Sequence, residues 1–408
     1  MDKLILFTSS FPFGNKETYL ETEIIFLAEV FDKVEIYPHY YNQGNKKQRE
    51  VPNNVRVHTP AYPISKIGRL YLALKGLFKG AKGLLFFKEF FKFKVYKSSK
   101  NFLRWLFALF DYLATLGSPH YNRIKNEKQA VFYFYWGIGW SYVCLNINKE
   151  VTRKCFIRLH GGDAYLERAN GYLPLRKEIF EKADYLLPIS NDLKEYVHAR
   201  FSILKEKILV SRLGVEIPDF NRNCLCDDTL KIVSCSNLIA LKRVFKILEA
   251  LKRMDGTIIE WTHFGDGPLL NSLKNEVDKL QLNTIRINLV GRIKNEKITA
   301  FYQNQSIDAF VNVSEYEGVP VSIMEAMSYG IPCIATNAGA TSELVNGENG
   351  ILLPNNFSIQ ELINSFNNIK SRKWREKSKL AYQHCKEIFN ANNNYKKLGN
   401  LLIEKYKE

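Results

Sequence analysis

The stretch Asn312-Val-Ser-Glu315-Tyr-Glu317-Gly318-Val319-Pro320-Val321-Ser322-Ile-Met-Glu325-Ala326-Met327-Ser-Tyr-Gly330-Ile-Pro332 sets two carboxylates around a glycine turn and a proline. A strand that ends in such a turn, with Pro320 at the first helical position, predicts a helix N-terminus. The N–H groups of Val319, Val321 and Ser322 then precede the first helical hydrogen bonds. Together with the positive end of the helix dipole they form an anion site suited to a diphosphate. Glu317 lies in the loop just ahead, and Glu325 more than one turn into the helix. One carboxylate can therefore reach a group beyond the phosphates while the other faces a different part of the same ligand. A surface acid followed by a helix-stabilising acid would produce the same spacing, so the pair alone leaves both readings open.

Other residues add to the first reading. His160 would by itself be an ordinary core histidine, but the flanking Gly161-Gly162-Asp163 favours a site histidine. Lys242 sits near a helix start, where its charge opposes the dipole; that placement fits a bound anion. Arg158 and Asp163 either pair with each other or face a ligand, and Glu343 either caps the segment after it or contacts a nucleotide. The motifs of P-loop NTPases, zincins and α/β-hydrolases are absent. Gly137-Ile138-Gly139 resembles the start of a dinucleotide fingerprint, but its third glycine position is Tyr142 and Glu150 is too near to be the ribose acid. No D-x-D triplet offers metal ligands, and the lone Cys224-x-Cys226 pair has no second half for zinc. The seven cysteines, an odd number, point to a reducing compartment.

These groups need elements to hold them. Apolar runs predict strands over 3–8, 33–37, 131–136, 154–159 and 184–188, with helices over 18–31, 174–182 and 190–201. After an irregular stretch, 214–228, a second series follows. It has strands at 230–236, 257–264, 285–290, 308–313 and 332–336, with helices at 243–253, 268–280, 295–303 and 320–329. Two alternating series imply two doubly wound domains with parallel sheets, facing one central cleft where ligands bind. The boundaries read 1–215, with a basic, aromatic helical insertion at about 64–112, then 228–373, and a final helix over 374–408 that packs back toward the first domain. The charge-free run 130–148 is broken by glycine, serine and asparagine, so it reads as strand, turn and helix rather than a membrane span. The first residues are too short and too acidic for a signal peptide.

The segment 312–332 resembles the E-x7-E motif of glycosyltransferase family 4, retaining enzymes of the GT-B fold. The likeness continues through Pro332-Cys-Ile-Ala335-Thr336, Gly339-Ala340-Thr-Ser-Glu343 and Asn346-Gly347-Glu-Asn-Gly350. Upstream it includes Phe11-Pro12-Phe13-Gly14, Arg158-Leu-His160-Gly161-Gly162-Asp163, Arg212-Leu-Gly214-Val215-Glu216, Ser236-Asn237-Leu238 with Lys242, Gly265-Asp266-Gly267-Pro268 and Val290-Gly291. The resemblance implies an α/β, GT-B protein with two Rossmann-like domains. It implies that a nucleotide-diphosphate sugar is the donor substrate, with no cofactor and no metal. Glu325 would then bind the ribose hydroxyls, Glu317 would orient the transferred sugar, and Lys242 would neutralise the diphosphate. His160 would line the sugar pocket. Gly318, Val319, Pro320, Val321 and Gly265 complete the donor side, and Gly14, Asn15, Arg158 and Asp163 the acceptor side. Two departures stand out. Asn237 occupies the position of a common phosphate-binding arginine, for which Arg243 or Arg292 would substitute, and Ala340 replaces a second glycine.

The chain has 58 Lys+Arg against 42 Asp+Glu, a net charge of +16, with a composition that excludes disorder, collagen-like sequence and a small disulfide scaffold. The excess is concentrated. Residues 66–104 hold eleven Lys/Arg, seven phenylalanines and a single acid, Glu89. Leu70, Leu74, Leu77, Ala81, Leu84 and Leu85 share one helical face, with Lys75, Lys79 and Lys82 opposite. Phe86, Phe90 and Phe93 form a stripe out of phase with it, predicting two helical pieces with a break near Gly83, the first weakened by Gly76 and Gly80. Either the leucine face packs on the first domain, or the segment lies on an anionic membrane surface. No nucleic-acid motif accompanies it. The expected function is transfer of sugar to a saccharide or lipid-linked acceptor in surface polysaccharide or lipopolysaccharide biosynthesis. The expected location is cytoplasmic, peripheral on the inner face of the membrane. An epimerase-like enzyme of the same fold and an inactive, membrane-associated assembly partner are the competing readings.

Overall fold

The computed structural model describes residues 2–41, 47–62, 65–79, 82–147, 153–220, 228–254, 256–280, 284–369 and 371–408. Asn148, Glu150, Gly80, Ala81, Cys224 and Cys226 lie outside them. The chain forms two units, Met1–Leu213 with Asn392–Glu408, and Gly214–Ala391.

In the first unit β1 (Lys3–Thr8), β2 (Lys33–Pro38), β3 (Val55–Val57), β4 (Ala130–Phe134), β5 (Arg153–Leu159) and β6 (Tyr185–Pro188) pair in the order β3-β2-β1-β4-β5-β6. Every pairing is parallel, with Leu4 opposite Val34 on one side and Val131 on the other. Such strands are covered on both faces, and so β1 and β4 are near-continuous apolar runs rather than alternating ones. The crossovers carry α1 (Tyr19–Val30), α2 (Lys66–Leu77), α3 (Gly83–Lys92), α4 (Ser99–Gly117), α5 (Tyr121–Asn126), α6 (Gly161–Ala164), α7 (Arg176–Lys182) and α8 (Asn191–Phe201). Ser190 caps α8 by accepting from the Leu193 N–H.

The second unit repeats the plan. Its strands β7 (Leu230–Cys235), β8 (Ile259–Phe264), β9 (Ile285–Gly291), β10 (Ala309–Asn312), β11 (Cys333–Thr336) and β12 (Gly350–Leu353) run parallel in the order β12-β11-β10-β7-β8-β9. Its helices are α9 (Val244–Lys252), α10 (Leu270–Asp278), α11 (Asn295–Asn304), α12 (Val321–Ser328), α13 (Ile359–Asn368) and α14 (Arg372–Ile388). In each sheet the strand order reverses once, between β1 and β4 and between β7 and β10. The loops leaving those strands diverge at that point and leave a crevice at the carboxyl edge.

The expected single segment 374–408 is two helices. On α14, Trp374 enters the second unit's core, its indole donating to Asp308 O at 2.9 Å, and Ser378 Oγ donates to Gly330 O at 2.7 Å. The chain then turns at Phe389 and Asn390, and α15 (Ala391–Lys407) buries Leu398 and Leu402 in the core of the first unit beside Leu4, Leu20 and Ile24. The two helices carry apolar faces for different cores, which is why one continuous helix does not form.

The insertion is three helices, α2 to α4, with α3 beginning at Gly83. The leucine stripe of α2 does not pack inward: Leu72, Ala73 and Gly76 are buried, whereas Leu70, Leu74 and Leu77 are exposed. Gly76 is required rather than merely weakening, because a Cβ there would lie 1.9 Å from the Leu113 carbonyl oxygen of α4, and one on Gly117 1.8 Å from that of Leu72.

Beneath the first sheet's carboxyl edge lies a wholly buried ion pair. Arg158 Nη1 donates to Glu23, which also accepts from the Tyr133 hydroxyl at 2.8 Å, while Arg158 Nη2 donates to Ser211 O and Oγ, both at 3.1 Å. Removing one partner strands the other charge without water. Glu23→Gln is therefore expected to lower the stability of the first unit by about 3–5 kcal/mol, read as a fall in its urea midpoint.

Candidate functional site

At the switch point of the second sheet, the loop after β7 carries Lys242 and the loop after β10 carries Glu317. Lys242 Nζ donates to Glu317 Oε1 at 2.6 Å, and Asn312 Nδ2 donates to the same oxygen at 3.2 Å. Glu317 is buried, and the two side chains join groups 75 residues apart in sequence. Pro320 is not the first helical residue. Its backbone is extended and α12 starts at Val321, with the N–H groups of Ile323 and Met324 returning to Pro320 O. The Val321 and Ser322 N–H groups thus sit ahead of the first bonded turn, and Gly318 and Val319 form the loop leading to it.

Glu325, on α12, accepts from Asn295 Nδ2 of α11 at 3.1 Å. Burial pushes its carboxyl up to about 7, against the pull of that amide. Gly265 explains how the loop after β7 is held: at φ +142° it lies so close that a Cβ would meet Ser236 O at 1.8 Å. Its place is backbone packing behind Ser236-Asn237, and it brings no side chain of its own.

The two cations expected to compensate for Asn237 have different surroundings. Arg243 donates through Nε to Val313 O, through Nη1 to Asn355 O, and through Nη2 to Ser314 O and Asn355 Oδ1, at 2.7–3.0 Å. It also covers the Phe357 ring. Arg243 thus holds the loops after β10 and β12 together and has at most one N–H left for a phosphate, which corrects its expected role as a free donor. Arg292 instead is exposed and lies next to the substituted position, its Nη2 3.4 Å from Asn237 Oδ1.

In the first unit the corresponding loops carry the residues expected on the acceptor side. Gly14, at φ +74°, and the exposed Asn15 follow β1; His160 follows β5. His160 Nε2 lies 3.2 Å from Tyr135 O, so that nitrogen carries the proton and Nδ1 is the acceptor. Burial and the nearby Arg158 hold its pKa down to about 3, so the imidazole is neutral. Arg158 and Asp163 do not have their expected places. Arg158 is fully buried in its pair with Glu23, and Asp163 accepts from the backbone N–H groups of Gly137 and His160, each at 2.7 Å. Burial pushes the Asp163 carboxyl up to about 6 despite those two donors. Both residues brace the loops from behind.

Two residues of this region escaped the sequence reading. Glu17 accepts from the N–H groups of Ser9, Ser10 and Phe11, at 2.7–2.9 Å, and from Trp136 Nε1 at 2.6 Å. Trp136 in turn covers His160, with ring centroids 4.2 Å apart. One carboxylate thereby sets the loop bearing Gly14 and the indole against the histidine. The available signal was an acid within a polar run after Gly14 and a tryptophan at a strand end.

Among the described residues no cluster of three or more His, Cys, Asp or Glu is arranged to hold a metal ion. Comparison with solved structures shows the fold. The lipopolysaccharide outer core galactosyltransferase WaaB, in its apo form, superposes with a TM-score of 0.68 at 18% identity over 99% of both chains. HepE of Anabaena, in complex with UDP-glucose, superposes with a TM-score of 0.62 at 14% identity over 99% of this chain and 100% of that one. Both sheets therefore belong to a GT-B architecture. Among curated relatives, the Escherichia coli protein WcaL, assigned to colanic acid biosynthesis as a glycosyltransferase, is 28% identical over 255 residues. That match spans 60% of this chain and 62% of the relative. Residues 219–384, which include Asn237, Lys242, Gly265, Arg292, Glu317 and Glu325, match the family described as glycosyl transferases group 1.

Proposed function

We propose that the protein is a retaining, metal-independent glycosyltransferase of family 4. It moves a sugar from a nucleotide-diphosphate donor to a saccharide or lipid-linked saccharide in surface polysaccharide or lipopolysaccharide biosynthesis. The observation that carries this is the Lys242–Glu317 pair at the β7/β10 switch point, with Glu325 on the helix that follows. In this reading Lys242 and Arg292 take the charge of the diphosphate leaving group, together with the N–H groups that open α12. Positive charge preorganised at a leaving group supplies the stabilisation for which a metal would otherwise serve. Glu317 orients the sugar and stabilises the charge that develops at its anomeric carbon, and Glu325 accepts from the ribose hydroxyls. Neutral His160 accepts a sugar hydroxyl through Nδ1. Retention follows from acceptor attack on the face that the diphosphate leaves. The UDP-glucose complex of HepE and the activities named for WaaB and WcaL support this choice of donor and acceptor. The acceptor is met at the inner membrane face, where the basic segment 66–104 attaches the protein peripherally.

Glu317→Ala should lower transfer about 10²–10³-fold while leaving nucleotide binding within a few-fold. Glu325→Ala should instead weaken binding of the nucleoside diphosphate about tenfold or more, measured by calorimetry. Normal transfer by both variants would refute the assignment. Arg292→Ala should raise the donor KM about tenfold, the scale of one charge-assisted phosphate contact.

The pH dependence follows from Glu325. Below about 7 its carboxyl is protonated, and accepting two hydroxyls requires expelling that proton. Nucleotide affinity should therefore rise with pH, by up to about tenfold per unit below pH 7, and level off above it. Glu325→Gln should flatten this dependence; a flat profile in the unsubstituted protein would contradict the assigned role.

A further inference from the structure

Fifteen of the twenty-four exposed large apolar side chains among the described residues lie between Ile67 and Phe107. They are ordered. On α2, Ile67, Leu70, Tyr71, Leu74, Leu77 and the following Phe78 recur at three- and four-residue steps, which is one face of a helix. On α3 the outward set is Leu84, Phe87 and Phe91, and on α4 Phe102, Leu103, Leu106 and Phe107. Phe78 is 90% exposed and Ile67 83%. These helices are not short of a core, because a second apolar layer is already formed beneath. Phe86 is fully buried and stacks on Tyr112 at 5.4 Å, and the Trp105 indole donates to Phe86 O at 3.0 Å. The outward stripes are thus apolar surface left over after that core is formed, clustered on three consecutive helices.

Charge identifies what covers it. Lys66, Lys75, Lys82, Lys88, Lys92, Lys94, Lys97 and Lys100 are exposed around the stripes, and none is in an ion pair among the described residues. Glu89, the sole acid of 66–104, is turned inward, accepting from the Tyr172 hydroxyl at 2.8 Å and the Leu175 N–H at 2.6 Å. A second copy docked by two-fold symmetry would set these lysines against themselves. An anionic bilayer attracts them, while their aliphatic stems let the ammonium groups stay at the headgroups above inserted apolar side chains. Among the described residues no helix is long and apolar enough to cross a membrane.

We infer that α2, α3 and α4 form a lipid-inserting platform, in which the outward stripes enter the acyl boundary of an anionic bilayer and the lysine rim binds its headgroups. This builds on the proposed peripheral attachment and names its mode, insertion in addition to charge. The test is sedimentation of the full chain with vesicles of phosphatidylcholine alone or with one third phosphatidylglycerol, at low and high salt. Binding to the anionic vesicles is expected, with a salt-resistant remainder. Phe78→Ser and Phe107→Ser should each lower the partition coefficient about tenfold and together abolish the remainder. Lys88→Gln and Lys92→Gln should each lower it about fivefold at low salt only. Absence of binding to anionic vesicles, binding indifferent to the phenylalanine changes, or a dimer in sedimentation velocity that Phe78→Ser dissociates would each overturn the inference. Glu317→Ala should bind vesicles as the unsubstituted chain does, so a failed transferase assignment leaves this result readable.

Discussion

The site of the second unit depends on one contact, the Lys242–Glu317 ion pair. Its partners come from strands that are neighbours in the sheet but separated by three complete crossovers in the chain. Only the reversal of strand order between β7 and β10 brings their loops together. The pair is also partly withdrawn from water, with side-chain exposures of 19% and 10%, so each group is held where its charge is least screened. Asn312, the last residue of β10, fixes the carboxylate from the other side. Strand end, loop and ion pair are therefore one construction, and a shift in the register of either strand would separate the two charges.

The first unit solves the same problem without a cross-loop ion pair among the described residues, using carboxylates that accept from backbone and indole N–H groups. Its switch-point loops are held by Glu17, which takes three backbone donors and the Trp136 indole, and by Asp163, which takes two more. Carboxylates thus do the work of backbone acceptors for these loop N–H groups. Arg158 pairs with Glu23, and burial, with a smaller contribution from the nearby guanidinium, keeps His160 uncharged. Arg158 is consequently a residue that a sequence motif places two positions from His160 and that packs beneath the loop instead.

Much of this was readable in the sequence because it rests on local rules. Apolar runs and the helical period placed nearly all the strands and crossovers, and the glycine–proline frame around Glu317 and Glu325 marked a loop leading into a helix N-terminus. What was not readable shares a cause: it depends on which partner a side chain meets. Arg243 and Arg292 are equivalent as letters, yet one is engaged by three loop carbonyls and the other stands beside Asn237. Arg158 and Asp163 look like a pair at five residues' spacing, but alternation across β5 and the turn at His160 send them to different partners. Pro320 illustrates a smaller case, where the proline precedes the helix and Val321 takes the first position. The edge strand β3, with three residues, is too short for its period to register.

The insertion shows the limit most clearly. Periodicity finds the leucine stripe of α2 but cannot give its sign, because an amphipathic helix reads the same whether its apolar face meets a core or a membrane. The sign is set by backbone approach. Gly76 and Gly117 allow α2 and α4 to touch through their main chains, which puts the face bearing Leu72, Ala73 and Gly76 against α4 and turns the face bearing Leu70, Leu74 and Leu77 outward. A close glycine contact thereby decides that the wide stripe faces away from the protein. The basic excess of the whole chain then acquires a location, since the lysines that produce much of it frame the surface that this contact exposes.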